Sequence, residues 1–200
     1  MKKMSTLFRI EYEGKGKGKN RRAILYPEVR PENEWVIKGE GIATRKYDGT
    51  ATAIISGEFY KRYDAKKGKP VPEGAIPCQP EPDPITGHFP CWVKVSDRPE
   101  DKYILEAYNN MKSRLSEGEE LPDGTYEAIG PKINGNPENV KEHMLIRHGF
   151  TAYLGIDRTF EGIKKFLEDN EIEGIVFLRE NGDMCKIRRK DFGLEWPIRR

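Results

Sequence analysis

The sequence predicts an α+β protein built on antiparallel sheets. Short segments that alternate apolar and polar residues, as half-buried strands do, recur along the chain, beginning with residues 6–13. Two pairs of such segments flank turns, one near Gly57 and one at residues 180–183, which is typical of β-hairpins. Only two stretches repeat apolar residues at helical spacing. A chain rich in strands with two main helices belongs to the α+β class.

The first half of the chain contains one hairpin, one long loop and one helix. Residues 50–63 form the hairpin that turns near Gly57. Residues 68–90 hold many of the prolines and predict a long ordered loop. A helix is predicted over residues 97–115, with Asp97 as its N-cap and Pro99 in its first turn. Its buried face would carry Ile104, Tyr108, Met111 and Leu115.

The remaining elements follow from the same signals. Residues 123–130 (DGTYEAIG) predict a turn that leads into a strand, and residues 159–167 predict a second helix. Residues 172–178 and 184–188 predict a second hairpin. Near the N-terminus, residues 14–22 (GKGKGKNRR) favour a solvated basic loop over a flexible phosphate contact.

Composition bounds the class of protein. Charged residues make up 34% of the 200 residues, but the formal net charge is only +2, so any basic surface must be local. Three cysteines, an odd and sparse count, argue against a disulfide scaffold and favour a reducing compartment. The N-terminus lacks a signal-peptide pattern, and no apolar run approaches membrane-spanning length. The sequence therefore predicts a cytoplasmic protein with no membrane segment and leaves its oligomeric state open.

Lys46-Tyr47-Asp48-Gly49 is the first candidate for chemistry. A lysine amine attacks phosphorus only in its neutral form, which nearby cations or a bound metal ion favour. Asp48 would orient the amine or a substrate, and Gly49 permits a tight turn. Taken alone, a K-x-D-G sequence indicates an exposed turn more often than a nucleophile.

Further charged residues favour the nucleophile over the exposed turn. Glu127 lies in a predicted strand, and Glu173 begins another. Lys186 and Arg188 are two residues apart on the partner strand of the same hairpin, so they face the same side, beside Glu173. A lysine nucleophile with two carboxylates and two cations suits nucleotidyl transfer, in which Glu173 would hold Mg²⁺ and the cations would neutralise phosphate charge.

These segments resemble the motifs of the covalent nucleotidyltransferases, which include DNA ligases, RNA ligases and mRNA capping enzymes. The resemblance implies that Lys46 carries the nucleotide and that Glu127 binds its ribose. It also implies a metal role for Glu173. Two further segments match motifs that contact the nucleotide. The resemblance of Lys61-Arg62-Tyr63-Asp64 implies that Arg62 contacts the nucleotide or a nucleic-acid end. The resemblance of Lys186-Ile187-Arg188 implies that its two cations hold the α-phosphate.

Longer segments are similar to the 5′-3′ RNA ligase family found in vertebrates and in microbial and viral relatives. They are residues 83–95 (DPITGHFPCWVKV), 129–137 (IGPKINGNP) and 192–198 (FGLEWPI). The resemblance implies one nucleotidyltransferase domain over residues 1–200, with antiparallel sheets forming an ATP cleft and no OB domain. It implies that ATP and Mg²⁺, with Mn²⁺ as an alternative ion, adenylylate Lys46. AMP then passes to an RNA 5′-phosphate, and a 3′-hydroxyl displaces it.

The sequence departs from the family pattern at two positions. Arg45 stands where the family often has an acid, and Arg188 stands where it more often has lysine. Three other readings stay open: an ATP-dependent DNA ligase, a GTP-using guanylyltransferase, and a catalytically inactive nucleic-acid-binding module of the same fold. The roles of the three histidines, His88, His143 and His148, and the residue that stacks on adenine are not set by the sequence.

Overall fold

The computed structural model describes residues 3–13, 22–84 and 86–198. Most of the predicted basic loop, residues 14–21, therefore lies outside the described residues. The described chain groups into two compact units. The central unit contains Lys3 and Asp48–His148, and the terminal unit contains the described parts of Met4–Tyr47 and Gly149–Arg200.

Strands predominate in both units. The strands are β1 Ser5–Thr6, β2 Phe8–Glu13, β3 Arg22–Val29, β4 Ile42–Lys46, β5 Thr50–Ile55, β6 Glu58–Ala65, β7 Ile76–Pro77, β8 Phe89–Lys94, β9 Gly124–Ile129, β10 Met144–Arg147, β11 Ala152–Tyr153, β12 Gly174–Leu178 and β13 Met184–Arg188. The α-helices are α1 Glu34–Ile37, α2 Lys102–Lys112 and α3 Phe160–Asp169, and 3₁₀ helices lie at Pro31–Asn33, Pro99–Asp101 and Arg189–Phe192. The predicted mixed class, rich in sheet with few helices, is confirmed.

The terminal unit is built on a five-stranded sheet in the order β1-β13-β12-β4-β11, with β2 and β3 forming a separate two-stranded sheet. β12 pairs antiparallel with β13 on one side and with β4 on the other, whereas β1 runs parallel to β13. Helix α3 begins after Thr159, whose hydroxyl accepts the Gly162 N–H, as expected of an N-cap. The core combines sheet and helix residues: Leu7, Phe8, Trp35, Val36, Ala43, Ile163, Leu167, Ile172, Ile175, Phe177, Cys185 and Ile187.

The central unit is built on a six-stranded antiparallel sheet in the order β10-β9-β5-β6-β8-β7. Ser56 and Gly57 both have positive φ, 52° and 76°, which gives the tight turn between β5 and β6 that the sequence predicts. Helix α2 contributes Ile104 and Ala107 to the buried core. The other core residues are Ile54, Phe59, Val95, Tyr126, Ala128, Ile133 and Leu145.

Two details of the predicted elements are wrong. Asp97 does not cap the helix, because the chain first forms a 3₁₀ turn at Pro99–Asp101 and Arg98 precedes it without a side-chain cap. Buried Asp101 instead pairs with Lys61, a non-local contact that the local pattern does not reveal. The Pro-rich segment is mostly loop, as predicted, but it contains β7, which pairs with β8.

Candidate active site

In the terminal unit, Lys46 meets Glu173. Lys46 ends β4, Glu173 immediately precedes β12, and the strand register pairs Lys46 with Gly174. The amine of Lys46 donates a hydrogen bond to Glu173 Oε2 and another, of 3.3 Å, to the Tyr47 carbonyl. The two side chains are only 19% and 7% exposed. The structure therefore holds the predicted nucleophile in an ion pair that is largely removed from water.

Gly174 allows the surrounding strands to come close together. It pairs with Lys46 on one side and with Arg188 on the other. A Cβ atom placed on Gly174 would lie 2.3 Å from the Ile187 carbonyl oxygen, which is too close for any real contact. The Glu-Gly sequence thus supplies a carboxylate and, next to it, the one residue type that fits between β4 and β13.

Lys186 lies two residues before Arg188 on β13, and Val176 faces it on β12. Burial lowers the pKa of Lys186 to about 8, and the positive charges of Arg188 and Lys46 add to this effect. Glu173 and Asp191 oppose it, but less strongly than burial and the two cations favour it. Lys186 is thus a half-buried cation whose charged form is disfavoured, and an anion placed beside it would stabilise that charge.

Arg188 has a dedicated partner that the sequence analysis missed. Its Nη2 donates to Asp191 Oδ1 at 2.7 Å and its Nε donates to Asp191 Oδ2 at 3.1 Å. Burial opposes the charge of Arg188, but the hydrogen bonds and the charge of Asp191 outweigh burial and raise the pKa of Arg188. The guanidinium is oriented by this two-point contact, a geometry that the ammonium of lysine does not reproduce.

The central unit holds the turn that follows Tyr47. The Asp48 N–H donates to Glu138 at 2.8 Å, and the Gly49 N–H donates to Glu127 Oε1 at 3.0 Å. Asn134 donates to the Gly49 carbonyl at 2.6 Å. A Cβ atom on Gly49 would lie 2.1 Å from the Ala128 carbonyl oxygen, so only glycine fits. Side chains therefore hold the Asp48 and Gly49 N–H groups and the Gly49 carbonyl.

The roles of Asn134 and Glu138 were not predicted. Asn134 belongs to residues 129–137 (IGPKINGNP), one of the segments that carry the family resemblance, so a signal for it was present in the sequence. The contact itself joins residues 85 positions apart and follows from the fold alone.

Glu127 and Arg62 also lie in the central unit. Glu127 is buried on β9, and its Oε2 is 2.9 Å from His148 Nε2. Arg62 lies on β6 opposite Trp92, and its Nε donates to Asp64 at 3.0 Å. The nucleotide contacts expected of Glu127 and Arg62 stay predictions.

The three histidines have different environments. His143 is buried, accepts the Lys132 N–H at Nε2 and contacts Glu106 through Nδ1. It also stacks on Tyr103 with ring centroids 5.1 Å apart. These contacts make His143 a packing residue, while His148 contacts Glu127 and His88 lies in the Pro-rich loop.

Glu173 is the carboxylate beside Lys46 and Lys186 that would hold a metal ion. Magnesium is commonly bound through one or two carboxylates with phosphate oxygens and water completing its shell, so a single buried carboxylate beside two cations suits a metal–nucleotide complex better than a metal ion alone. The described residues contain no cluster of three or more His, Cys, Asp or Glu side chains able to hold a metal ion. Within the same residues, no helix is both long and apolar enough to cross a membrane.

The amino-acid sequence is similar to a family model and to several known proteins. Residues 106–200 match the sequence model of the family described as RNA ligase 1, a span that includes Glu127, Glu173, Lys186 and Arg188 but not Lys46. The chain is 31% identical over 175 residues to RNA ligase 1 of Pongo abelii, with 65% of this chain and 50% of that protein covered. The corresponding protein of Rattus norvegicus is 29% identical over 175 residues, with the same coverage. That of Danio rerio is 27% identical over 140 residues, with 56% of this chain and 43% of that protein covered. This chain spans about half the length of these relatives.

Proposed function

The chain is related to the RNA ligase 1 family, and on that premise we propose that it is an ATP-dependent 5′-3′ RNA ligase. It joins a 5′-phosphate to a 3′-hydroxyl through a lysyl-AMP intermediate on Lys46. The observation that carries the proposal is the meeting of Lys46 with Glu173 in the same unit as Lys186, a half-buried cation. Two half-buried lysines whose charges repel each other are unfavourable for stability alone, but they suit attack on a phosphate.

In the first step, Lys46 Nζ attacks the α-phosphorus of ATP. A phosphorus–nitrogen bond forms, the bond to the bridging oxygen breaks, and pyrophosphate leaves with the electron pair. Attack requires the neutral amine. The extra proton of Lys46 is therefore released to water before the new bond forms. Glu173 holds the amine in place until the nucleotide arrives.

Lys186 and Arg188 then serve the phosphates. Negative charge develops on the α-phosphate oxygens as the lysine attacks, and preoriented cations in a site shielded from water stabilise that charge. Lys186 gains a counter-charge that its present surroundings lack in part, and Arg188 is already oriented by Asp191. Glu173 would hold Mg²⁺, which when bound supplies further positive charge to the phosphates.

Two further transfers complete the reaction. An oxygen of the RNA 5′-phosphate attacks the phosphorus of lysyl-AMP, the phosphorus–nitrogen bond breaks, and Lys46 leaves as an amine that regains a proton. The 3′-hydroxyl of the other RNA end then attacks the 5′-phosphorus and loses its proton, and AMP departs. Each step exchanges one bond to phosphorus for another.

The decisive experiment is incubation of the protein, first shown to be nucleotide-free, with ATP and Mg²⁺, followed by intact-mass measurement. We expect a mass increase of one AMP in the wild type and none in Lys46→Ala. The matched control is Lys164→Ala, which removes a partly exposed lysine that lies on α3 and pairs with Glu168. This variant should keep the adduct. A nucleotide-free wild type that stays unmodified would refute the proposal.

Substrate choice separates the proposal from its rivals. Adduct formation with GTP but not ATP would indicate a guanylyltransferase. Joining of nicked DNA in preference to 5′-phosphorylated RNA would indicate a DNA ligase. RNA binding without any adduct would indicate an inactive binding module.

A further inference from the structure

We propose that His148 is a positioning residue that orients the carboxylate of Glu127 toward a ribose hydroxyl of the nucleotide. The inference rests on the proposed function, because the resemblance to nucleotidyltransferases is what assigns the ribose to Glu127. It adds a residue that the motifs do not contain and gives that residue a task in selecting ribose over deoxyribose.

The imidazole of His148 is held at both ring nitrogens. Nε2 is 2.9 Å from Glu127 Oε2, and Nδ1 is 2.9 Å from Thr125 Oγ1. The backbone is fixed as well, because the His148 N–H donates to the Thr125 carbonyl at 3.0 Å. Thr125 and Glu127 are two residues apart on β9 and so face the same side of the strand, where one ring contacts both.

The partners determine the direction of each hydrogen bond. An ionised carboxylate only accepts, so Nε2 carries the proton that His148 donates to Glu127. In the neutral ring Nδ1 is then the acceptor, and the Thr125 hydroxyl donates to it. Glu127 therefore sets the tautomer, and the Thr125 hydroxyl, which can donate, holds the ring at its other nitrogen, in the way that an outer partner orients a functional histidine.

Glu127 is in turn held at both oxygens. Oε1 accepts the Gly49 N–H at 3.0 Å, while Oε2 accepts from His148. Each carboxylate oxygen can accept more than one hydrogen bond, so a ligand hydroxyl can still donate to a carboxylate whose plane is already set. Preorientation of this kind matters because displacement of a contact group by about 1 Å can cost about 100-fold in rate.

His143 shows what a structural histidine looks like in the same unit. It also contacts a glutamate, Glu106, through one ring nitrogen at 2.9 Å. Its other ring nitrogen accepts a backbone N–H from Lys132, and the ring is buried against Tyr103. A variant of His143 therefore reports on loss of a histidine–glutamate contact that does not involve Glu127.

The test compares the rates at which Lys46 is adenylylated by ATP, 2′-deoxyATP and 3′-deoxyATP. We expect the wild type to use ATP faster than at least one deoxynucleotide. His148→Ala should slow the reaction with ATP by about 10- to 100-fold. It should slow the reaction with the disfavoured deoxynucleotide much less, so that the preference for ribose collapses. His148→Gln, which keeps an N–H donor, should restore most of the preference.

Two further variants keep the test decisive. Thr125→Val removes the hydroxyl but keeps the shape of the side chain, and it should weaken the ribose preference even if His148→Ala fails to fold. In a Glu127→Gln background, His148→Ala should add little, because both residues would act through one contact. His143→Gln should lower the melting temperature without changing the ribose preference.

The outcomes distinguish failure of the proposed function from failure of the role proposed for His148. If the wild type forms no adduct with any of the nucleotides, the proposed function fails. If it forms adducts but does not prefer ribose, or if His148→Ala and Thr125→Val slow all three nucleotides equally, His148 has only a structural role and the inference is overturned.

Discussion

Replacing Lys186 with methionine should make the protein more stable at neutral pH while abolishing adduct formation. Lys186 is a half-buried cation whose pKa is lowered to about 8 by partial burial and by the charges of Arg188 and Lys46. Methionine keeps an unbranched apolar stem but removes the charge. The fold therefore loses an unfavourable group, and the proposed reaction loses a phosphate contact.

The sign and size follow from proton linkage. The ordinary pKa of lysine is 10.5, so between about pH 8 and 10.5 the unfolded chain binds more protons at this residue than the native state does. The free energy of unfolding contributed by Lys186 thus rises with pH across that window, and below about pH 8 the native state bears the full cost. The difference between the two pKa values corresponds to about 3 kcal/mol, which partial contact with solvent reduces to about 1–3 kcal/mol.

The assay is urea unfolding, followed by tryptophan fluorescence, of the wild type and Lys186→Met at intervals from pH 7 to 10.5. The excess stability of the variant should be greatest at pH 7 and should disappear near pH 10.5. Lys190→Met, which removes an exposed lysine from the following 3₁₀ helix, controls for general loss of charge and should show no such trend. A Lys186→Met variant that is destabilised at pH 7, or whose stability difference is constant with pH, would refute the reasoning.

Two further predictions concern other parts of the fold. Asn134→Ala removes the donor to the Gly49 carbonyl. It should lower the free energy of unfolding, measured with urea, by about 1 kcal/mol. It should also slow adduct formation, measured by intact mass. Asn139→Ala controls for the left-handed backbone, since the two asparagines have φ of 49° and 51°, and equal effects of both variants would argue against a role for the side-chain contact. Burial raises the pKa of Cys185 to about 12, so iodoacetamide at pH 8 should label half-buried Cys78 long before Cys185. Peptide mass spectrometry measures the two labelling rates, and equal rates would contradict the native packing.

The elements that the sequence predicted correctly are those whose signals are local. The β5–β6 hairpin follows from a turn at Gly57 with alternation on both sides, and α3 follows from the apolar spacing of residues 159–167. The β12–β13 hairpin pairs Gly174 with Arg188, as expected from its turn. In each case the residues that determine the element lie within about 15 positions of one another.

What the sequence did not predict depends on contacts between distant residues. Lys46 ends a strand instead of occupying an exposed turn, because β4 pairs with β12, more than a hundred residues along the chain. The contact between His148 and Glu127 requires the register of β9 against β10, which no local pattern sets. Asp191 could be found only once Arg188 was placed at the end of β13, directly before the 3₁₀ helix.

The charges in the terminal unit are hard to explain by stability. Lys46, Glu173, Lys186, Arg188 and Asp191 are all at least partly buried within one part of that unit. Buried ion pairs are often no more stabilising than apolar residues of the same size, and here the cations outnumber the carboxylates by three to two. Burial, and in addition the charges of Arg188 and Lys46, lower the pKa of Lys186, so this arrangement costs stability. The excess makes sense if the native partner of these cations is an anion that arrives from solution, and the phosphates of a nucleotide are such an anion.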